Sequence, residues 1–135
     1  MKAEREGKVR INSEGDIVTA RKMVRDAAMA VGFSVTDVTR IVTAASELTR
    51  NVFRYAGSGV MYWRNLHTGE HVGIELTFED SGPGIADIER AMEVGYTTNG
   101  GLGLGLPGAR RLMDEMEIES EVGKGTRVTV KKWRR

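Results

Sequence analysis

Glycine is concentrated in one short stretch of this 135-residue sequence, residues 100–108, which leads directly into an apolar segment. Five of these nine residues are glycine, and glycine loses more backbone entropy on ordering than other residues do. Backbone N–H groups in such a loop, followed by a helix N-terminus, form a binding site for anions such as phosphates. The stretch therefore predicts a phosphate-binding loop, mobile over residues 95–103, with a helix over residues 104–116. A purely structural loop is the alternative.

Two common phosphate-binding motifs do not account for this loop. Gly103, Gly105 and Gly108 have the spacing G-x-G-x-x-G, but the residues before them form no strand pattern, which excludes a dinucleotide-binding Rossmann unit. The motif G-x-x-x-x-G-K-S/T is also missing from the sequence, because Lys124 is followed by Gly125. The loop therefore belongs to neither of these folds.

Hydrophobic periodicity predicts an α+β fold. Alternation predicts strands near residues 8–12, 60–66 and 72–79 and a closing hairpin of residues 117–122 and 126–133. Helical spacing predicts a helix capped by Asp16 and ended by Gly32, a second from Ser34 or Thr36 to Tyr55, and a short one over residues 87–93. The order β-α-α-β-β-α-α-β-β indicates a largely antiparallel sheet covered by helices on one face, in a single domain over residues 1–135.

Composition excludes several other classes of protein. There is no cysteine, which rules out disulfide frameworks and thiolate nucleophiles. The net charge of +1 gives no large basic field, so neither nucleic acid nor a membrane surface is expected as a partner. No apolar run approaches the roughly 20 residues of a membrane span, and the charged N-terminus leads into no apolar signal segment. We therefore expect a cytoplasmic protein.

A row of polar side chains is predicted on one face of the second helix. Glu47 and Asn51 are four residues apart and Arg54 follows one turn later, so the three side chains share a helix face. A carboxylate, an amide oxygen and a guanidinium in this order suit a general base, a Mg²⁺ ligand and a phosphate contact. Taken alone, such a row is more often an ordinary solvated helix face.

A second polar group follows the strand predicted over residues 72–79. Asp80 stands at its end and is followed by Ser81-Gly82-Pro83-Gly84-Ile85. The Asp80 carboxylate can accept a hydrogen bond from the exocyclic amine of a base, while the glycines let a ring approach the backbone. The same residues are strong turn formers, so a plain turn is the alternative.

In chain order, these clusters resemble the four nucleotide-binding boxes of the GHKL ATPase/kinase superfamily. Glu-x-x-x-Asn, Asp-x-Gly-x-Gly, Gly-x-Gly-x-Gly and, at residues 123–126, Gly-x-Gly-Thr are similar to its N, G1, G2 and G3 boxes. Within the superfamily, the chain resembles the RsbT-type serine/threonine switch kinases over nearly its full length. The likeness lies in residues 16–18, 46–48, 80–85, 100–108, 111–115 and 132–133. It implies the Bergerat fold, a two-layer sandwich with a mixed, mostly antiparallel sheet.

The resemblance also implies which residues bind ATP and Mg²⁺. Asn51 would hold Mg²⁺ between the phosphates, Glu47 would be the general base, and Asp80 would bind the adenine amino group. The other nucleotide contacts would be Gly82, Gly84 and Ile85 around the base, Thr98, Gly101, Leu102, Gly103, Leu104 and Gly105 in a phosphate lid, and Thr126 on the adenine side. Arg54 is added from helix spacing alone, as a phosphate contact.

The predicted lid departs from related anti-sigma kinases, which often carry a basic residue beside the glycines. Here the sequence reads Thr98-Asn99-Gly100. Electrostatic support for the γ-phosphate is then expected from Mg²⁺, from backbone amides or from a partner. We expect a modest turnover, which suits a regulatory switch.

The likeness implies two kinds of partner in a stress-signalling pathway. STAS-domain scaffold or antagonist proteins of the stressosome would be the serine/threonine substrates, and a downstream regulator such as a PPM-type phosphatase would be the second partner. The main alternative is a nucleotide-dependent binding or switch module with little or no kinase activity, which would have no need of a base at Glu47.

Two further alternatives are disfavoured by the sequence. A mechanical ATPase of the chaperone or topoisomerase kind would need transducer domains, for which 135 residues leave no room. His67 and His71 lie at a predicted hairpin turn rather than on a helix, which disfavours a histidine kinase.

Overall fold

The computed structural model of the chain describes residues 5–92 and 106–135. In these ranges it contains five strands: β1 (Glu6–Ile11), β2 (Gly59–Thr68), β3 (His71–Asp80), β4 (Glu115–Glu121) and β5 (Gly125–Trp133). They form one sheet in the order β1-β2-β3-β5-β4, and every neighbouring pair is antiparallel. The helices are α1 (Gly15–Val31), α2 (Val35–Ala56), α3 (Ile88–Ala91) and α4 (Leu106–Leu112).

The sheet has one buried face and one solvent face because its central strands alternate. In β3, Leu76 and Phe78 are buried and pair with Val130 and Val128 of β5, which are buried on the same face. The opposite face carries cross-strand ion pairs, such as Arg64 Nε to Glu75 Oε1 at 2.7 Å. The predicted α+β arrangement, with an antiparallel sheet and helices against one face, is confirmed.

Helix α2 forms the centre of the helical layer. Its first turn is capped by Ser34, whose hydroxyl accepts the N–H of Asp37 at 3.1 Å, as one of the two predicted starts requires. Its buried side includes Ile41, Leu48 and Val52, so this face of the helix packs against the sheet.

The predicted capping role of Asp16 is wrong, because the residue lies inside α1. The N-cap is Glu14, which makes no side-chain cap hydrogen bond. The Asp16 carboxylate instead accepts the backbone N–H groups of Asn12 at 2.7 Å and Ser13 at 3.0 Å. It therefore fixes the chain that enters the helix, and the Asn12 hydrogen bond is the main reason why the pKa of Asp16 is lowered.

The helix predicted over residues 104–116 is wrong at its C-terminal end. Helix α4 stops at Leu112, and the N–H of Asp114 bonds to the carbonyl oxygen of Lys131 at 2.8 Å. The chain thus enters the sheet at β4, where Met116 pairs with Val130. The short helix predicted over residues 87–93 is present as α3, but residue 93 and the loop of residues 95–103 lie outside the described residues.

Within the described ranges, no helix combines the length and apolar character that crossing a membrane requires.

A buried lysine connects the C-terminal end of α4 to the rest of the fold. Lys132 lies on β5 with a side chain only 9% exposed, and its Nζ donates to the carbonyl oxygen of Leu112 at 2.9 Å. The same ammonium group is 3.8 Å from Asp114 Oδ1 and 4.0 Å from Asp37 Oδ1. A buried cation needs such partners to offset its desolvation. Lys132 therefore joins β5, the end of α4 and the start of α2.

Replacing this lysine should destabilise the protein far more than replacing its neighbour. Lys132→Ala leaves the partly buried carbonyl of Leu112 without its donor, while the two carboxylates keep their arginine partners, and should cost about 2–3 kcal/mol. Lys131→Ala removes a more exposed lysine whose contacts to Glu75 and Glu115 are 3.9 and 4.0 Å long, and should cost about 0–1 kcal/mol. Denaturant titrations of both variants measure these free energies of unfolding. Equal losses of unfolding free energy in the two variants would contradict the role of Lys132 in joining β5, α4 and α2.

Candidate functional site

One end of the helix–sheet interface contains a mostly apolar cavity with a few polar side chains. Its walls include Phe78 and Val128 of the sheet, and Leu106 contributes at the first residue of α4. Polar groups come from α2, from the end of β3 and from β5, through Asn51, Asp80 and Thr126. An apolar slot with a small number of fixed polar groups is typical of a site for a flat organic ligand.

Asp80 is held at the rim of this cavity by backbone hydrogen bonds. Its Oδ1 accepts the N–H of Gly82 at 2.9 Å, and the carboxylate also accepts the N–H of Thr126. Burial raises the pKa of Asp80 above its ordinary value, although these two hydrogen bonds act in the opposite direction. The carboxylate is thus a positioned acceptor for an amino group.

Two glycines bring the walls of the site together. Gly125 has φ = 107°, and a Cβ there would collide with the carbonyl oxygen of Asp80. Gly84 has φ = 80°, and a Cβ there would collide with the carbonyl oxygen of Glu121. Both positions need a residue without a side chain, in a backbone region that other residues rarely adopt. The turn after β3 therefore packs directly against the β4–β5 hairpin.

Ser120 is a residue at this junction that the sequence analysis missed. Its Oγ accepts the N–H of Ile85 at 2.7 Å and lies 3.0 Å from the carbonyl oxygen of Gly125 and 2.8 Å from Thr126 Oγ1. The observed register places Ser120 opposite Thr126, whereas the predicted strand bounds, residues 117–122 and 126–133, would place Val122 there.

The predicted row on α2 divides into one residue at the cavity and two outside it. Asn51 is among the lining residues. Glu47, one turn earlier, does not line the cavity, and its Oε2 is 3.2 Å from Arg50 Nη1. Arg54 is exposed and also does not line it. The roles of Glu47 as base and of Arg54 as phosphate contact stay predictions.

The contacts predicted around the base are brought together in the structure, whereas Arg54 is not among them. Gly84, Ile85 and Thr126 line the same cavity as Asp80, and Gly82 donates to the Asp80 carboxylate. The lid positions fall outside the described residues; they are Thr98, Gly101, Leu102, Gly103, Leu104 and Gly105.

A larger groove of about 680 Å³ lies beside this cavity and shares Asp80 and Thr126 with it. Its other walls carry charges that already face each other: Arg127 Nε is 3.3 Å from Glu79 Oε2 and 3.7 Å from Glu119 Oε1. Ligand pockets are usually apolar with a few fixed polar groups, which describes the apolar cavity better than this charged groove.

Comparison with known proteins identifies the family. The family model for histidine kinase-, DNA gyrase B- and HSP90-like ATPases matches residues 36–135. Serine/threonine-protein kinase RsbT of Bacillus subtilis (strain 168) is 47% identical over 127 residues, which cover 94% of this chain and 96% of that protein. This chain belongs to the RsbT-type serine/threonine kinases of the GHKL family.

A more distant relative is an anti-sigma factor. The anti-sigma F factor of Thermoanaerobacter sp. (strain X514) is 33% identical over 120 residues, covering 84% of this chain and 82% of that protein.

Solved structures with low sequence identity show the fold alone. The RsbU and RsbW domains of a Mycobacterium tuberculosis protein give a TM-score of 0.64 at 19% identity, over 99% of this chain and 34% of that chain. The mycobacterial sensor histidine kinase MprB gives 0.57 at 20% identity, over 97% and 99%. The Bergerat fold expected for the GHKL family is thus confirmed, and membership of that family implies that the chain binds a nucleotide.

The half-buried Asp80 carboxylate should make the stability of the nucleotide-free protein depend on pH. Burial raises its folded-state pKa above the ordinary value of 3.8, so folding favours the protonated form. The stabilisation from that form is complete below the unfolded-state pKa and is lost as the pH rises through the raised pKa. As the pH falls from neutral to about 4, the free energy of unfolding of the wild type should therefore rise relative to that of Asp80→Asn.

Denaturant titrations of the two proteins at a series of pH values measure this difference. A difference that is constant over the range, or that changes in the opposite direction, would contradict the raised pKa of Asp80.

Proposed function

We propose that this chain is a single ATP-binding domain that phosphorylates serine or threonine on STAS-domain scaffold proteins of a stressosome and acts as a partner switch in stress signalling. The observation that carries the proposal is the meeting of Asn51, Asp80 and Thr126 in one apolar cavity. An RsbT relative of nearly equal length supports the kinase chemistry, and the anti-sigma relative supports regulation through partner binding.

ATP would enter with its adenine in the cavity and its phosphates toward Asn51. Asp80 would accept the amino group of the base, beside the apolar wall formed by Phe78 and Val128. The residues present fit this ring, because an apolar cavity has a fixed hydrogen-bond acceptor at its rim.

Asn51 would hold Mg²⁺ between the phosphates. An amide oxygen is a suitable ligand, since Mg²⁺ usually takes one or two protein oxygens and completes its shell with phosphates and water. Among the described residues no group of three or more His, Asp or Glu side chains could hold a metal by itself, which agrees with a site completed by the nucleotide. The bound ion would neutralise charge on the transferred phosphoryl group.

Glu47 would act as the general base for the acceptor hydroxyl. It lies one helical turn before Asn51, and its side chain is 40% exposed, so a partner can reach it. Its ion pair with Arg50 joins two partly exposed side chains, and such pairs contribute little to stability. An incoming substrate can therefore displace Arg50 at low cost.

The STAS-domain protein would thus be both substrate and binding partner. Phosphorylation would add about −1.5 to −2 charges to its surface and weaken the complex where acidic groups lie nearby. The released kinase would then bind a downstream regulator such as a PPM-type phosphatase. The alternative is a nucleotide-dependent switch module with little or no transfer activity.

Glu47→Ala should separate catalysis from binding. The carboxylate does not line the cavity proposed for adenine, so ATP affinity and binding to the STAS-domain protein should persist. Phosphoryl transfer should fall by about 10²–10⁴, which is the usual contribution of a positioned proton acceptor. Labelled ATP and a purified STAS-domain protein measure the rate, and calorimetry measures both affinities.

Arg50→Ala is the matched control, because it removes the ion-pair partner and keeps the carboxylate; it should retain transfer. A Glu47→Ala protein with the wild-type rate would remove Glu47 from the mechanism. If the wild type binds the STAS-domain protein in a nucleotide-dependent way but transfers no phosphate, the switch module is favoured.

A further inference from the structure

The Ser120 hydroxyl has three polar neighbours, and one of them limits how it can bond to the other two. The N–H of Ile85, 2.7 Å away, can only donate, so Ser120 Oγ must accept there. The single Ser120 proton then has two possible acceptors, the carbonyl oxygen of Gly125 at 3.0 Å and Thr126 Oγ1 at 2.8 Å. Which of them receives it decides what Thr126 presents to the cavity.

Each arrangement gives Thr126 a different chemical character. When Ser120 donates to Gly125, the Thr126 hydroxyl can donate to Ser120, and only Thr126 lone pairs face the cavity. When Ser120 donates to Thr126, the proton of Thr126 is free to enter the cavity. With an acceptor in the cavity, the second arrangement is a chain in which every hydroxyl accepts once and donates once, and such chains strengthen their members by polarisation.

Ser120 acts from behind Thr126 rather than from within the cavity. Thr126 lines the apolar cavity, whereas Ser120 does not. The Asp80 carboxylate lies beside Thr126, because Asp80 pairs with Thr126 across β3 and β5 and accepts its N–H. The cavity edge can therefore present an acceptor at Asp80 next to a donor at Thr126.

We infer that Ser120 is a positioning residue for base recognition: it directs the hydroxyl proton of Thr126 into the cavity, where Thr126 donates to a ring nitrogen of the nucleotide base. The ligand class this edge selects is a purine with an amino group beside an unprotonated ring nitrogen, as in adenine at N6 and N1. Guanine presents the reverse order, with a carbonyl oxygen beside a ring N–H. The inference rests on the proposed binding of ATP in this cavity.

The ratio of affinities for ATP and 1-deaza-ATP, in which a C–H replaces N1, measures this one hydrogen bond. The wild type should bind ATP about three- to tenfold more tightly, the range expected for one neutral hydrogen bond. Ser120→Ala should lower the ratio, because the Thr126 hydroxyl loses the donor that orients it, and Thr126→Val, which removes the hydroxyl itself, should bring the ratio close to one. Ser120→Thr, which keeps the hydroxyl, should preserve it. In the Thr126→Val background, Ser120→Ala should not change the ratio further.

A control variant distinguishes this effect from general damage to the sheet. Thr129→Ala removes the hydroxyl of another threonine on β5, whose Oγ1 is 3.5 Å from that of Thr77 and which does not line the cavity; it should leave the ratio unchanged. Should Ser120→Ala fail to fold, Ser120→Cys keeps the volume with a weaker donor and should lower the ratio.

Other results would overturn the inference. An unchanged ratio in Ser120→Ala or Ser120→Cys, or a wild type that does not distinguish the two nucleotides, contradicts it while ATP binding itself stands. A wild type that binds neither nucleotide contradicts the proposed function instead.

Discussion

The close contact between Gly125 and the backbone of Asp80 determines the arrangement of the site. β3 ends at Asp80 and β5 begins at Gly125, and only a residue without a side chain allows the two strands to approach this closely. The register then places Asp80 opposite Thr126 and Phe78 opposite Val128. A single strand pair thereby supplies both the polar edge of the cavity and its apolar wall.

The helices α2 and α4 supply the remaining residues of the site. Leu48 and Val52 are buried in the core, which fixes the rotation of α2 and brings Asn51 to the cavity. On the other side, Leu106 is buried at the start of α4, and the end of that helix is held by Lys132. The phosphate chemistry proposed at Asn51 and the base recognition proposed at Asp80 thus depend on one packed layer between the helices and the sheet.

The order and type of the elements could be predicted from the sequence because local patterns determine them. Alternation in β3 and β5 and helical spacing in α2 follow directly from which side chains are buried. The end of α4 could not be predicted this way. Leu112, Met113 and Met116 also fit a helical pattern, and contacts with β5, such as the hydrogen bond from the N–H of Asp114 to the carbonyl oxygen of Lys131, draw the chain into the sheet.

The site was predictable to a similar extent. Motif likeness identified Asp80, Asn51 and Thr126, which share the cavity. Ser120 was missed because its hydrogen bond to Ile85 joins residues 35 positions apart, a contact that neither periodicity nor a short motif encodes. Lys132 belongs to the likeness at residues 132–133, but its burial against α4 depends on tertiary packing, which the sequence pattern does not encode.

The central claim is that the cavity at Asp80 binds adenine, and titration of ¹⁵N-labelled protein with adenosine tests it most directly. Without phosphates, only contacts to the base and sugar remain. The account predicts that the amide resonances of Gly82, Ile85 and Thr126 shift with adenosine and stay unchanged with inorganic triphosphate. Shifts confined to Glu119 and Arg127 in the neighbouring groove would contradict it. Amide resonances that stay unchanged at adenosine concentrations high enough to compete with ATP would contradict it as well.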